Sequence, residues 1–252
     1  MVNKDPSKKV LFKFSDPKSK FFLVEFKRKE IYFADPATFN DPFDCQIEYE
    51  RVLRESLSNS ILAESVQIEN IVRKVTDIVR GIGICCFSRA KKNQLMWAHY
   101  ANCHTGICIG FDEEVLKRQT SCKVSDVTYG SKHPIKNLEW QFEFLSEDRE
   151  LDEKLIADWV FKSLVTSKYW YWTYERERRL LKRTPGLSSI TPEAINSVTI
   201  GLKTTLKTKK KLHKVLSSDE WSHILLFKAA KKPEAYALDF DRIQLSELLK
   251  GD

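Results

Sequence analysis

Two glutamates and an arginine alternate in the second half of the chain, at Glu175, Glu177 and Arg179. The surrounding run KYWYWTYERERRLL is rich first in aromatic residues and then in alternating charges, which predicts a β-strand. Because alternate side chains of a strand share a face, we expect these three to project to one side. Paired carboxylates can hold a sugar hydroxyl and stabilise positive charge at an anomeric carbon, as glycosyl transfer requires. The alternative is an exposed strand whose charges form surface ion pairs.

The segment KKNQLMWAHYANCHTG holds a second set of reactive side chains, between the β-like runs GICCFS and TGICIGFD. If the segment is helical, Trp97 and Tyr100 lie three residues apart and form an aromatic patch with His104. His99 or His104 could transfer a proton or orient a ligand, and the alternative for each is a structural histidine. The spacing of histidines and cysteines fits no common zinc pattern, so the sequence predicts no metal site.

The motif FNDPFDC, residues 39–45, crowds acidic side chains around a proline and between two phenylalanines. Pro42 biases Asp41 away from the helical conformation, and Asn and Asp commonly bond to the backbone of turns. We therefore expect a rigid loop in which Phe39 and Phe43 pack inward. The polar side chains that would fasten the neighbouring backbone are Asn40, Asp41 and Asp44. The loop is predicted to form a wall of the site rather than its reactive group.

The composition indicates a globular protein. The chain has 252 residues, of which 42% are hydrophobic, and this is ample for a buried core. There is no run of about 18 apolar residues and no apolar signal region, which predicts a cytoplasmic location and no membrane contact. The six cysteines are expected to be buried, reduced thiols, with Cys86 or Cys103 as a nucleophile a minor alternative. The lack of GxGxxG and GxxxxGK motifs argues against a Rossmann oxidoreductase or a P-loop NTPase.

The order of elements predicts one α+β domain over residues 1–252, with a mixed or antiparallel sheet and helical insertions. Apolar residues recur at helical spacing in segments 52–80 and 151–165, and a basic helix is expected between the last two strands. Strand-like runs occur at LFKF and at residues 30–34, 83–88, 105–112, 122–129, 197–201 and 222–229. Neither an internal repeat nor a Gly/Ser linker divides the chain.

The net charge of +7 is concentrated in two basic segments, Arg176 to Arg183 and LKTTLKTKKKLHK. In the second segment Lys203, Lys207 and Lys211 share one face if the segment is helical. A nucleic-acid partner is one interpretation of these segments, and a solvated basic face is the other.

Several ordered motifs resemble a bacterial family that carries the label domain of unknown function 2971. They are LFKF, IYFADPATFNDPFDC, GICCFSRAKKNQLMWAHYANCHTGICIGFD and WTYERERRL. The resemblance extends from about Leu11 to about Gly201, which leaves a basic helix and C-terminal strands in residues 202–252. Members of the family occur in defence and abortive-infection settings. The resemblance therefore implies a toxin or effector in anti-phage defence, with an antitoxin or another defence-system partner.

The order of elements also resembles, more weakly, the ADP-ribosyltransferase fold. In that fold a polar residue of the first strand and a glutamate of a late strand grip NAD, and here Lys13 and either Glu175 or Glu177 correspond to them. The chain departs from the pattern because lysine stands where a histidine or arginine would bind the nicotinamide ribose. The resemblance implies stacking or shielding by nearby aromatic residues, among them Tyr32, Phe39, Trp97 and Tyr174. Further residues predicted to bind NAD are Asn40, Asp41, His104 and Arg179.

The leading hypothesis is therefore an NAD-dependent ADP-ribosyltransferase-like enzyme in which Glu175, Glu177 and His99 are catalytic. A second hypothesis is a nuclease that uses a divalent metal with His99, the two glutamates, Asp41 and Asp44. The third is a non-catalytic module that binds nucleic acid or a partner protein through its basic residues.

Overall fold

The protein combines twelve strands and eight α-helices in the residues that its computed structural model describes, 10–46, 48–144 and 153–250. The strands are β1 (Val10–Ser15), β2 (Glu30–Phe33), β3 (Gly83–Ser88), β4 (Ile107–Asp112), β5 (Lys123–Asp126), β6 (Thr128–Gly130), β7 (Ser167–Tyr169), β8 (Glu177–Lys182), β9 (Gly186–Ser189), β10 (Ile195–Ile200), β11 (Leu225–Lys231) and β12 (Leu238–Ile243). The helices are α1 (Val24–Lys27), α2 (Tyr49–Ser58), α3 (Ile68–Gly81), α4 (Gln94–Tyr100), α5 (Glu113–Thr120), α6 (Glu139–Phe144), α7 (Glu153–Thr166) and α8 (Leu206–Leu216). The predicted α+β class is confirmed; the first two residues of the helix predicted at 151–165 lie outside the described residues.

Eight strands form one mixed sheet, in the order β12-β11-β10-β4-β1-β3-β8-β5. β10 and β11 are parallel, and the other neighbouring strands are antiparallel. The remaining strands form two small pairs, β2 with β9 and β6 with β7. All six residues of β4 are buried. This explains why its sequence, ICIGFD, is an almost continuous apolar run rather than an alternating one.

Most helices pack through the two largest of four hydrophobic cores in the described residues. The larger core packs α1, α5 and α8 against the sheet, and the smaller one joins α2, α3 and α7. The smaller core follows helical spacing, with Leu53 and Leu57 on α2 and Ile71 and Val75 on α3 all fully buried. Within the described residues, no helix has the length and apolar character needed to cross a membrane.

A tight turn joins α4 to β4, and its close approach to β1 requires the glycine of the HTG sequence, Gly106. Three residues in a row, Asn102, Cys103 and His104, adopt left-handed backbone conformations, with φ of 46°, 53° and 68°. At Gly106 a Cβ atom would lie 2.2 Å from the backbone oxygen of Ser15. Only glycine lets the turn approach β1 this closely. The motif therefore sets the start of β4 beside the strand that carries Lys13.

Two strand predictions are wrong in part. The predicted strand 122–129 divides into β5 and β6, which belong to different sheets. The run KYWYWTYERERRLL is also interrupted, because a 3-10 helix, Trp170–Glu175, separates β7 from β8. Arg176 follows this 3-10 helix with a left-handed φ of 46°. An extended strand cannot continue through that conformation, and aromatic content alone did not signal the break.

Candidate functional site

A cavity of about 370 Å³ lies where β1, β3 and β8 are neighbours in the sheet. Its walls come from these strands, from α1, β2 and α4, and from the FNDPFDC loop. We call it the first cavity. Its volume falls in the range of small-molecule sites. The charged side chains that line it are Lys13, Glu25, Asp44, Lys168, Glu175 and Glu177, with Asp16 also at the wall.

Five buried or nearly buried side chains form a charged cluster at one end of this cavity: Asp44, Lys168, Glu175, Glu177 and Arg179. The Lys168 Nζ lies 2.6 Å from an oxygen of Glu175 and 3.2 Å from an oxygen of Glu177. It also lies 3.4 Å from Asp44 Oδ2. One ammonium group is therefore shared by three carboxylates in an interior where unpaired charges are costly.

Arg179 holds two of these carboxylates from the protein interior. It is fully buried, and its Nε donates to Glu177 Oε1 at 2.8 Å. Its Nη2 donates to both carboxylate oxygens of Asp44, at 2.8 and 2.6 Å. Its Nη1 donates to the backbone oxygen of Val165 at 2.9 Å. Because Arg179 does not line the cavity, its role here is to position carboxylates rather than to contact a ligand.

The local backbone directs Glu175 and Glu177 to the same place. Glu175 ends the 3-10 helix and Glu177 begins β8, with the left-handed Arg176 between them. The Ser88 hydroxyl donates to the backbone oxygen of Glu175 at 2.6 Å. The backbone N–H of Glu177 donates to the Tyr129 hydroxyl at 2.8 Å. These long-range bonds fix both glutamates on rigid elements, as a precise site requires.

The two glutamates have different proton affinities. Burial raises the pKa of Glu175 above its ordinary value, although Lys168 and the hydroxyl of Tyr100, which both donate to its carboxylate, act in the opposite direction. Burial also acts upward on Glu177, but the charges of Arg179 and Lys168 outweigh it and lower its pKa to about 2. Neighbouring carboxylates whose pKa values are driven apart are typical of acid–base and electrostatic sites.

The net charge of the cluster depends on Glu175. When Glu175 is ionised, three carboxylates face two cations and the cluster carries one excess negative charge. When Glu175 is protonated, the cluster is neutral. Because Glu177 stays ionised at all ordinary pH values, the protonation of Glu175 decides whether this cluster carries an excess negative charge.

The cavity wall also carries a second pair of charged groups, Lys13 and Glu25. The Lys13 Nζ donates to Cys85 Sγ at 3.6 Å and lies 5.6 Å from the centre of the Phe87 ring. Glu25 is 3% exposed, and among the described residues its Oε2 has no hydrogen-bond partner. Burial raises the pKa of Glu25. A buried carboxyl oxygen left unpaired is costly, so the Glu25 Oε2 is a candidate acceptor for a hydrogen bond from a ligand.

Aromatic side chains complete the walls. The Tyr32 ring stacks on Phe21 with centroids 4.6 Å apart and planes 16° apart. The Phe39 ring lies 5.7 Å from the guanidinium carbon of Arg179. Both rings line the cavity, together with the exposed Asn40. The cavity thus presents flat apolar surfaces between two sets of charged groups.

Residues 96–180 match the family described as "Protein of unknown function (DUF2971)". The predicted family resemblance is confirmed. The DUF2971 match covers about a third of the chain and includes Tyr100, Lys168, Glu175 and Glu177. The LFKF and FNDPFDC motifs precede the matched segment. The searches of curated proteins and of solved structures gave no match.

Six residues predicted for the site do not line the first cavity: Asp41, Trp97, His99, His104, Tyr174 and Arg179. Trp97 is fully buried and packs edge-on against Phe14, with ring centroids 5.2 Å apart. His99 is exposed beside Tyr174, and His104 belongs to the α4–β4 turn. The Asp41 carboxylate accepts from the backbone N–H of Phe43 at 2.9 Å, as expected of a turn residue.

The FNDPFDC loop differs from its prediction in two ways. Phe39 is half-buried, but the inward packing predicted for Phe43 is wrong, because Phe43 is 71% exposed. Asp44 was expected to bond to neighbouring backbone, and instead its carboxylate binds Arg179 and Lys168. The loop is a wall of the cavity that also supplies one charged group to it.

Sequence reasoning missed three side chains of the site: Lys168, Tyr100 and Glu25. Lys168 precedes an aromatic run and shows no local signal, since its contacts depend on how β7 meets β8. Tyr100 lies in the LMWAHY motif and was predicted to join an aromatic patch, not to bond to a catalytic glutamate. Glu25 lies in the apolar run FFLVEF, where a lone acidic residue is a usable signal of a functional carboxyl.

The residues of the nuclease hypothesis do not meet at one place. Asp44 and the two glutamates line the first cavity, whereas Asp41 lines a different cavity and His99 is exposed. No group of three or more His, Cys, Asp or Glu in the described part of the chain is arranged to hold a metal ion. A divalent cation would also compete with Lys168 and Arg179 for the same carboxylates.

The cysteines lack the surroundings of a nucleophile. All six are free thiols, four of them buried, Cys86 partly buried and Cys103 exposed. Cys86 lines the first cavity, but burial and then the charge of Glu177 raise its pKa well above the ordinary value. Its thiol therefore stays protonated and is a poor nucleophile.

The two basic segments differ in accessibility. Arg179 is buried, and Arg178 forms ion pairs with Glu113 and Asp126, so much of the segment from Arg176 to Arg183 faces other parts of the protein. Lys207 and Lys211 are exposed and lie one turn apart on α8, while Lys203 precedes that helix. Arg176 and Arg183 of the first segment are exposed as single residues, whereas α8 and its neighbourhood carry several exposed lysines together.

Proposed function

We propose that the protein is an NAD-dependent ADP-ribosyltransferase-like enzyme whose substrate-binding site is the first cavity. The observation that carries the proposal is the meeting of Lys13, from the first strand, with Glu175 and Glu177, from the start of a late strand, in one cavity. The ADP-ribosyltransferase fold places its NAD-gripping residues in this order. The geometry of this cavity and the weak resemblance therefore support the same proposal.

The charged cluster suits cleavage of the bond between ribose and nicotinamide. In that reaction the carbon–nitrogen bond breaks, its electron pair leaves on nicotinamide and positive charge develops on the ribose. A nucleophile of the acceptor, or water, then bonds to the anomeric carbon and loses its proton. Glu177 is ionised throughout, and an ionised Glu175 gives the cluster its excess negative charge. A carboxylate that also accepts a hydrogen bond from a ribose hydroxyl stabilises this charge more in the transition state than in the ground state.

Lys13 and Glu25 suit the nicotinamide part of the substrate. A carboxamide has one acceptor oxygen and one donor nitrogen. The Lys13 ammonium donates hydrogen bonds, and the unpartnered Glu25 Oε2 can accept one. Tyr32 and Phe39 provide rings on which a planar group stacks. Lysine thus stands at the position of the usual histidine or arginine, and in this proposal it donates to the carboxamide rather than to the ribose.

The direct test is release of nicotinamide from labelled NAD, with and without nucleic-acid and protein acceptors. Glu175→Gln and Glu177→Gln should each lower kcat by a factor of about 100 or more, the usual cost of removing one electrostatic stabiliser. The controls are Glu69→Gln, which alters an exposed ion pair on α3, and His99→Ala, whose ring lies outside the cavity. Both controls should keep full activity. Wild-type protein that neither binds, cleaves nor transfers NAD would exclude the proposal.

In the cell, we propose a cytoplasmic toxin or effector of bacterial anti-phage defence, held in check by an antitoxin or another defence-system partner. The family resemblance supports this part of the proposal. Arrest of growth on expression, abolished by Glu177→Gln, is the expected result. Growth arrest that persists in a folded Glu177→Gln protein would separate toxicity from the first cavity.

A further inference from the structure

A second cavity of about 370 Å³ borders the charged cluster and takes no part in the proposed reaction. It is lined by the FNDPFDC loop, by β6 and the turn after it, and by β7 with the following 3-10 helix. Lys168 lines both cavities. The second cavity is therefore next to the first and is built from different walls.

The side chains around this second cavity share an unusual chemistry. Five of them carry rings: Phe43, Tyr129, His133, Tyr169 and Trp172. Several others carry hydroxyl or amide groups: Thr128, Ser131, Asn137 and Ser167. Among the described residues that line the cavity, none is Leu, Ile, Val or Met. Ring faces combined with hydrogen-bonding groups suit a flat heteroaromatic ligand better than an aliphatic one.

The aromatic surface continues beyond the cavity. Trp170 and Tyr171 are 48% and 62% exposed, and their ring centroids are 4.0 Å apart. The Tyr169 ring lies 5.0 Å from that of Tyr171, and Phe43 is 71% exposed at the cavity wall. Exposed rings grouped in this way mark an interaction surface, because burial of such side chains is favoured when nothing else opposes it. There are enough exposed rings for more than one base to stack on this surface.

Charges of both signs line the second cavity, since Asp41 is present as well as Lys132 and Lys168, but the exposed charged side chain among them is a cation. Lys132 lines it and is exposed, and Arg176 is exposed directly after the aromatic 3-10 helix. Burial lowers the pKa of His133, so its ring serves as a neutral stacking and hydrogen-bonding group rather than as a further cation. Stackable rings beside cations are the combination that binds single-stranded nucleic acid without reading its sequence.

We propose that the second cavity binds one nucleotide of a single-stranded nucleic acid, whose neighbouring bases stack on Trp170 and Tyr171. The phosphates of the strand then lie near Lys132. This surface is separate from the exposed lysines of α8. The binding does not depend on the proposed reaction, so its test needs no NAD.

The test is the fluorescence anisotropy of a labelled single-stranded oligonucleotide of about ten bases, titrated with the full chain. Phe43→Ala and Tyr171→Ala each remove an exposed ring without opening the core. Each should weaken binding about five-fold or more, the usual effect of losing one stacked base. Tyr236→Ala is the matched control, because this ring is fully exposed elsewhere and its loss should change nothing. Lys132→Gln should lower the slope of log Kd against log salt by about one.

Any one of the following results would overturn the proposal. The wild-type protein could fail to bind the oligonucleotide, or bind duplex and single strand equally well. Phe43→Ala and Tyr171→Ala could bind the oligonucleotide as tightly as wild type. A loss of binding confined to Lys207→Gln and Lys211→Gln would place the nucleic-acid surface on α8. Capture of a protein partner by the aromatic surface, without oligonucleotide binding, is also against it. Oligonucleotide binding by a protein inactive on NAD would retain this inference and remove the proposed reaction alone.

Discussion

Replacement of Lys168 by methionine tests how the charged cluster is held together. Asp44 and Glu177 keep their bonds to Arg179 in this variant, so Glu175 alone loses its cation. The side chains of Lys168 and Glu175 are only 7% and 4% exposed. Breaking a buried pair of this kind costs about 3–5 kcal/mol. We therefore expect Lys168→Met to lower the free energy of unfolding by about 3 kcal/mol at pH 8.

The loss should be smaller at low pH. The pKa of Glu175 is already raised by burial, and removal of Lys168 raises it further. A carboxyl group whose pKa is higher in the folded than in the unfolded protein stabilises the fold at pH values below its unfolded-state pKa. This stabilisation is lost as the pH rises through the folded-state pKa. The destabilisation should therefore grow with pH, by at most about 1.4 kcal/mol per pH unit.

Urea unfolding followed by circular dichroism, at about pH 5 and pH 8, measures these differences. The double variant Lys168→Met with Glu175→Gln removes the uncompensated charge and should recover at least about 2 kcal/mol at pH 8. The control is Lys74→Met, because the Lys74 Nζ lies 2.8 Å from Glu153 in a more exposed pair and its loss should cost less than about 1 kcal/mol. The reasoning is refuted if Lys168→Met costs no more than Lys74→Met, or if the double variant is as unstable as the single one.

Two further predictions concern the other carboxyl groups of the first cavity. The folded-state pKa of Glu177 is about 2 against an ordinary 4.5, so its ion pairs contribute about 3 kcal/mol above pH 4.5, and this is lost as the pH falls toward 2. Urea unfolding should show wild type and Glu177→Gln converging over that range, and a constant difference would contradict this. Glu25→Gln should change stability by less than about 1 kcal/mol but raise the KM for NAD, because it alters the unpartnered Oε2. An unchanged KM in steady-state kinetics would remove Glu25 from substrate binding.

Much of the fold could be predicted from the sequence, because each element carries its own pattern. β3 and β4 are short apolar runs, and α3 repeats its apolar residues at helical spacing. Predictions failed where a single backbone conformation mattered. Arg176 is left-handed and ends a 3-10 helix, although the run around it has the composition of a strand. The identity of the residue gives no sign of that conformation, which neighbouring elements impose.

The candidate site could be predicted only in part. Glu175, Glu177 and Lys13 were expected together from the resemblance to the ADP-ribosyltransferase fold, and the structure brings them to one cavity. The position of Lys168 depends on β7 and β8, and Asp44 meets Arg179 from 135 residues away. Contacts over such distances leave no local periodicity. These contacts form only when the sheet and the FNDPFDC loop pack together.

The sequence by itself determined the helices and strands, the apolar cores and the residue types available for chemistry, since these depend on neighbours along the chain. Tertiary structure decided which charges meet and how strongly they act. Glu175 and Glu177 are two residues apart, yet the pKa of one is raised and that of the other is lowered to about 2. The physical reason is that burial and long-range partners set the cost of a charge. A fully buried Arg179 stands beside Glu177, whereas Glu175 has the shared Lys168 and a tyrosine.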